Sequence, residues 1–172
     1  MNRRWVHSVA LGVAVFALAG CSQTVEEQVS TGIENAQSTF VELPVETNTT
    51  IGHIDVYIPI GFTIKQGIDE SNYTLLTGND SYILFVNPNE TEDSQLHYDI
   101  LKRDTAIEFV DEKTFENDGT FGFSAVMKQR EEQYALIVSI GGVKLTTISN
   151  AKKIDDKLTE MMQVVKSVRM TD

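Results

Sequence analysis

Cysteine is nearly absent: Cys21 is the single one in 172 residues. No internal disulfide can form, and beyond position 21 there is neither a thiol nucleophile nor a thiolate metal ligand. Proline occurs only at Pro44, Pro59 and Pro88, and the sole tryptophan is Trp5. A polyproline or low-complexity stalk is therefore excluded. Basic residues are also scarce, 14 Lys and Arg against 25 Asp and Glu, for a net charge of −11. Nucleic acid is excluded as a partner on that ground, because binding it requires neutralising phosphates. Phosphate loops, dinucleotide fingerprints and HExxH-type zinc motifs are all missing. No cofactor is expected.

What is present begins at the start. Met1-Asn2-Arg3-Arg4 is a short basic stretch, and Val6 to Leu18 is mostly apolar. That layout is a secretory signal, and its apolar run is short for a transmembrane helix. Leu18-Ala19-Gly20-Cys21 closes it. A bulky residue, two small ones and then cysteine resembles the lipobox of bacterial lipoprotein precursors. The resemblance implies a diacylglyceryl group on the Cys21 sulfur and cleavage between Gly20 and Cys21. Each buried methylene contributes about 0.8 kcal/mol, so two acyl chains hold stably where one is marginal. The expectation is a protein on the cell membrane, held by lipid and facing the extracytoplasmic side.

Residues 1–20 carry Arg3 and Arg4 and no acid, so their removal leaves 12 bases against 25 acids, a net −13. Such a domain is repelled by an anionic bilayer and is soluble in front of it. Hydrophobic residues make up 41% of the chain and aromatics 8%, enough for a folded core. Three segments are expected: a signal peptide over 1–20, a lipidated cysteine, helix and tether over 21–50, and one domain over 51–170.

Thr24 and Glu27 have capping-box spacing, and Val25, Val29, Ile33, Ala36 and Phe40 follow at helical intervals. The spacing predicts an amphipathic helix over about 25–39, packed on the domain, serving as a partly ordered tether, or offered to a partner. Gly32 weakens it by about 1 kcal/mol relative to Ala. From Leu43 the pattern becomes β-like. Ile54 to Ile58, Phe62 to Ile64 and Tyr73 to Leu76 read as strands, and Tyr82 to Val86 as a central strand buried on both faces. Leu96, Tyr98 and Ile100 alternate with His97 and Asp99, predicting a strand with His97 toward solvent. Ile107 to Val110 is a weaker strand. Asn117-Asp118-Gly119 and Gly141-Gly142 are turns that bracket the strands Phe121 to Met127 and Tyr134 to Ile140. Ile154, Leu158, Met161, Val165 and Val168 predict a closing helix with Asn150 as its N-cap. The fold class is α+β: a meandering antiparallel sheet, a C-terminal helix packed on one face and an additional N-terminal helix.

Ile54-Asp55-Val56-Tyr57-Ile58-Pro59-Ile60-Gly61-Phe62 is similar to the opening of domains with the PsbP/Mog1-like fold, and Val164 to Arg169 resembles their closing helix. The resemblance spans about Ile51 to Arg169. It implies a binding or assembly module rather than an enzyme, and it transfers no site residue.

No catalytic constellation is legible. Gly122-Phe123-Ser124-Ala125-Val126 lacks the final glycine of a nucleophile elbow and lies inside a strand pattern. His53 and His97 are the only histidines after the signal, far apart and without metal spacing. Asn87-Pro88-Asn89-Glu90-Thr91-Glu92-Asp93 offers hard oxygens but not the calcium-loop spacing. No metal is expected. The leading expectation is a noncatalytic envelope lipoprotein that binds a protein or a cell-wall component. One alternative is a small-ligand carrier with a pocket between sheet and helix, using Tyr57, Phe62, Tyr73 and Tyr98. Another is a hydrolase using His53 or His97.

Overall fold

The computed structural model describes residues 23–67 and 69–171, so the Leu18-Ala19-Gly20-Cys21 box falls outside the described residues. In chain order the elements are α1 (Val25–Val41), β1 (Thr49–Ile51), β2 (Ile54–Val56), β3 (Thr63–Gln66), β4 (Asn72–Thr77) and β5 (Asp80–Val86). Then come α2 (Leu96–Arg103), β6 (Glu108–Asn117), β7 (Thr120–Arg130), β8 (Gln133–Ile140), β9 (Val143–Asn150), α3 (Ile154–Ser167) and β10 (Arg169–Met170). Seven strands form one antiparallel sheet, ordered β3-β4-β5-β9-β8-β7-β6. A smaller antiparallel sheet has the order β1-β2-β10. No helix among the described residues is long and apolar enough to cross a membrane.

Short turns make the meander. At the β6–β7 corner Asp118 and Gly119 both have positive φ, 48° and 78°, the backbone that a tight two-residue hairpin requires. After β5 the chain leaves the middle of the sheet, crosses its outer face as α2 and re-enters at the far edge as β6. Helices α1 and α3 pack together on the inner face, over β6 to β9. The result is an α+β domain with its main core between that helix pair and the sheet.

Helix α1 belongs to this core. Thr24 Oγ1 accepts from the Glu27 N–H at 3.2 Å and Glu27 Oε2 accepts from the Thr24 N–H at 2.9 Å, the reciprocal cap that their spacing predicts. Val29, Ile33, Ala36 and Phe40 are buried. Burying side chains of the Val, Ile and Phe class is worth about 1.5–3 kcal/mol each, which outweighs the roughly 1 kcal/mol lost to Gly32. The two helices are also tied by polar contacts. Gln28 Nε2 donates to the Ala151 carbonyl at 3.4 Å, and Gln28 Oε1 accepts from the Ile154 N–H at 3.4 Å. At the other end the Lys166 ammonium donates to the carbonyls of Thr39 (3.2 Å), Phe40 and Glu42. Helix α1 has no basic residue in its own last turn, so α3 supplies the cation that its C-terminal carbonyls favour.

Three expectations are corrected. Leu96 to Leu101 is helical, and His97 is buried against the outer face of the sheet rather than solvated. In so short a segment the alternating set Leu96, Tyr98, Ile100 and the helical set His97, Tyr98, Leu101 are both present, and packing on β7 selects the helix and leaves Leu96 and Ile100 exposed. Second, β5 is not buried on both faces. Tyr82, Leu84 and Val86 point inward, whereas Ile83 is exposed and Phe85 half-buried, because α2 covers only part of the outer face. Third, α3 is not capped by Asn150, which ends β9. Lys153 occupies the N-cap with left-handed backbone (φ 57°), and Gln28 of α1 caps the helix from outside.

Candidate functional site

The domain carries a cleft of about 350 Å³ where the β5–α2 loop, the β6–β7 turn and the C-terminal end of α3 meet. That volume lies within the range of small-ligand sites. Its apolar lining comes from Phe40, Val86, Ile140, Val143 and Val165. Each belongs to an element end: the last turn of α1, the last residue of β5, the β8–β9 corner and the last turn of α3.

One wall is the loop after β5, and its hydrogen bonds fix it. Asn87 Oδ1 accepts from the Asn89 N–H at 3.1 Å, a local turn that asparagine favours. The Asn87 N–H donates to Gly142 O at 3.0 Å, and the Phe121 N–H donates to Glu92 O at 2.9 Å. A Cβ on Gly142 would lie 2.5 Å from Asn87 O, so only glycine lets the loop settle on the β8–β9 turn. The carboxylates are held as well. Glu90 accepts from the Ser94 hydroxyl and Glu92 from the Thr120 hydroxyl at 3.4 Å. Asp118, from the β6–β7 turn, brings a third carboxylate to the rim.

The opposite wall is basic in composition but only partly available. Burial lowers the Lys166 pKa, and its ammonium is engaged by the α1 carbonyls. Arg169 is exposed; its Nη1 donates to the carbonyls of Lys166 (2.9 Å) and Val168 (2.7 Å). The cleft therefore offers an apolar floor, three carboxylates, one guanidinium and an ammonium turned toward α1. That inventory suits recognition by charge and shape.

The residues singled out from the sequence lie elsewhere. His53 sits exposed at the β1–β2 corner. His97 lies behind the acidic loop, its Nε2 3.4 Å from Gly142 O and its ring edge-on to Phe85 at 5.6 Å. Neither histidine lines the cleft. Ser124 is buried in β7, and its hydroxyl has no partner among the described residues. Tyr73 is buried and donates to Glu70 O at 3.1 Å, and Tyr98 packs on Phe121 and Phe123 on the outer face. The space around Phe62, between sheet and α3, is too small for a water molecule. Among the described residues no group of three or more His, Cys, Asp or Glu is placed to hold a metal ion. Only the acidic loop was legible in advance, as a run of hard oxygens. Asp118, Thr120 and the segment from Lys166 to Met170 reach the cleft through the fold, and no spacing announces them.

His97 gives a pH prediction. Burial, and then the nearby Lys144 charge, lower its pKa. The folded state thus prefers the neutral ring, and protons bind the unfolded state more readily. Its contribution is complete above the ordinary histidine pKa of about 6.5 and is lost as pH falls below that toward the folded value. Thermal unfolding between pH 7 and pH 5 is expected to show a fall in midpoint that His97→Gln removes. The same slope in both proteins would refute this assignment.

Compared with protein-family models and with curated proteins, the chain matches none. Among solved structures it is similar to the solution structure of cyanobacterial PsbP (CyanoP) from Synechocystis sp. PCC 6803, at 11% sequence identity and a TM-score of 0.42, covering 74% of this chain and 98% of that one.

Proposed function

We propose that the protein is a noncatalytic binding or assembly module, anchored to the extracytoplasmic side of the cell membrane by lipid on Cys21. The cleft between the acidic loop and the end of α3 is the observation that carries the binding role. It has an apolar floor and walls fixed by hydrogen bonds. The anchor rests on the sequence from Arg3 to Cys21.

The geometry of α1 supports a division of labour between the two. Cys21 precedes α1 by only a few residues, and the 17-residue helix is about 25 Å long. Phe40, at the far end of α1, lines the cleft. An anchor at one end and a cleft at the other turns the cleft away from the bilayer, toward a protein or cell-wall partner. The net −13 of the processed chain keeps the domain off an anionic bilayer.

A photocrosslinking side chain at Asn117, on the cleft rim, tests this reading in intact membranes. A discrete adduct is expected from Asn117 and none from the exposed Glu34 of α1. Glu92→Gln with Asp118→Asn should remove it. No adduct at Asn117, or the same adducts from both positions, would refute a partner at the cleft.

A further inference from the structure

We propose that the cleft takes an extended, basic peptide segment of a partner protein, added as a short strand on the free edge of β10. The proposal rests on the binding role given above and names the chemistry of the partner.

Backbone register is the first argument. In the order β1-β2-β10 the last strand is an edge. Arg169 pairs with Asp55 and Met170 with Ile54, and the Thr171 N–H donates to His53 O at 2.9 Å. Antiparallel pairs alternate between those that exchange hydrogen bonds and those that do not. The bond at Thr171 makes 171–53 and 169–55 the bonded pairs. The N–H and C=O of Met170 therefore point away from β2, and Met170 lines the cleft. Among the described residues neither group has a hydrogen-bond partner, and such a donor and acceptor at one residue are what an incoming extended chain uses when it adds to a sheet edge.

Charge selects the peptide. Glu90, Glu92 and Asp118 line the cleft, and the loop bonds keep the first two in place. Lys166 keeps its charge but directs its N–H groups to the carbonyls of α1, so the three carboxylates face two cations, of which Arg169 is the more accessible. The lining is net negative toward a ligand, so lysine or arginine side chains fit it and acidic ones do not. Val86, Ile140 and Val143 provide an apolar floor for the side chains that alternate with the basic ones.

The test uses the full chain, isotope-labelled and solubilised in a neutral detergent, titrated with acetyl-Lys-Val-Lys-Val-Lys-amide and with its Glu-Val-Glu-Val-Glu counterpart. The lysine peptide is expected to shift the amides of Met170, Val143 and Asn117 saturably, and the glutamate peptide to leave them unmoved. Methylating the central peptide nitrogen of the probe removes a donor without touching the protein, and should weaken binding by about tenfold. Glu92→Gln with Asp118→Asn should weaken it by a similar factor, whereas Glu131→Gln with Glu132→Gln, at the β7–β8 turn, should not. Equal binding of both peptides, indifference to N-methylation, shifts confined to other regions, or no binding would each overturn the proposal. If no peptide binds while Asn117 still crosslinks in membranes, the ligand class is wrong and the binding role stands. If both fail, both fall.

Discussion

Gly32→Val is expected to cost about 3 kcal/mol of stability and to loosen α1 from the domain. A Cβ at position 32 would lie 2.8 Å from the Asp155 Cα and 2.8 Å from a Leu158 methyl carbon. The leucine can rotate; the backbone of the first turn of α3 cannot. Two effects compete. Replacing a helical glycine by alanine gains about 1 kcal/mol in propensity, and overpacking a tight crossing costs about 1–3 kcal/mol. Gly32→Ala therefore loses little or up to about 2 kcal/mol. Valine forfeits most of the propensity gain and adds two methyl groups to the clash. Forcing the helices apart also strains the Gln28 contacts with Ala151 and Ile154 and the Lys166 contacts with the end of α1. Denaturant unfolding measures the loss, and amide exchange in α1 shows where it falls. A Gly32→Val protein with an unchanged midpoint and protected α1 amides would mean that the crossing is looser than described.

Gly142→Val should remove the cleft while leaving the two helices docked. Its Cβ would stand 2.5 Å from Asn87 O and 2.8 Å from the Glu90 Cβ, so the acidic loop must lift from the β8–β9 turn. The bond from Asn87 to Gly142 O is the loop's anchor at that point, and His97 shares the same carbonyl. The expected cost is about 1–3 kcal/mol, with faster amide exchange over residues 87–93 and loss of the Asn117 adduct. A stable Gly142→Val protein that still forms the adduct would place the binding surface away from this cleft.

The sequence announced what depends on local chemistry. The capping box at Thr24 and Glu27, the hairpin glycines and the apolar stripes of α1 and α3 are short-range patterns, and each has its expected structure. Gly32 was legible as a weak point in α1, but its purpose was not. The reason is Asp155 and Leu158, more than 120 residues later, and no periodicity reports a helix crossing. The segment around His97 failed because eight residues satisfy two periods at once. The N-cap of α3 was missed because its partner, Gln28, comes from another helix. The site was the least legible part. Its lining comes from eight separate elements, and the backbone groups of Met170 carry no sequence signature.

The central claim is a binding module tethered through Cys21. Intact-mass measurement of the protein extracted from native membranes tests it most directly. The account predicts a chain that begins at Cys21, lacks residues 1–20 and carries a diacylglyceryl-type mass, with that mass absent from a Cys21→Ser variant. A chain that retains Met1, or one that begins elsewhere with an unmodified Cys21, would contradict it.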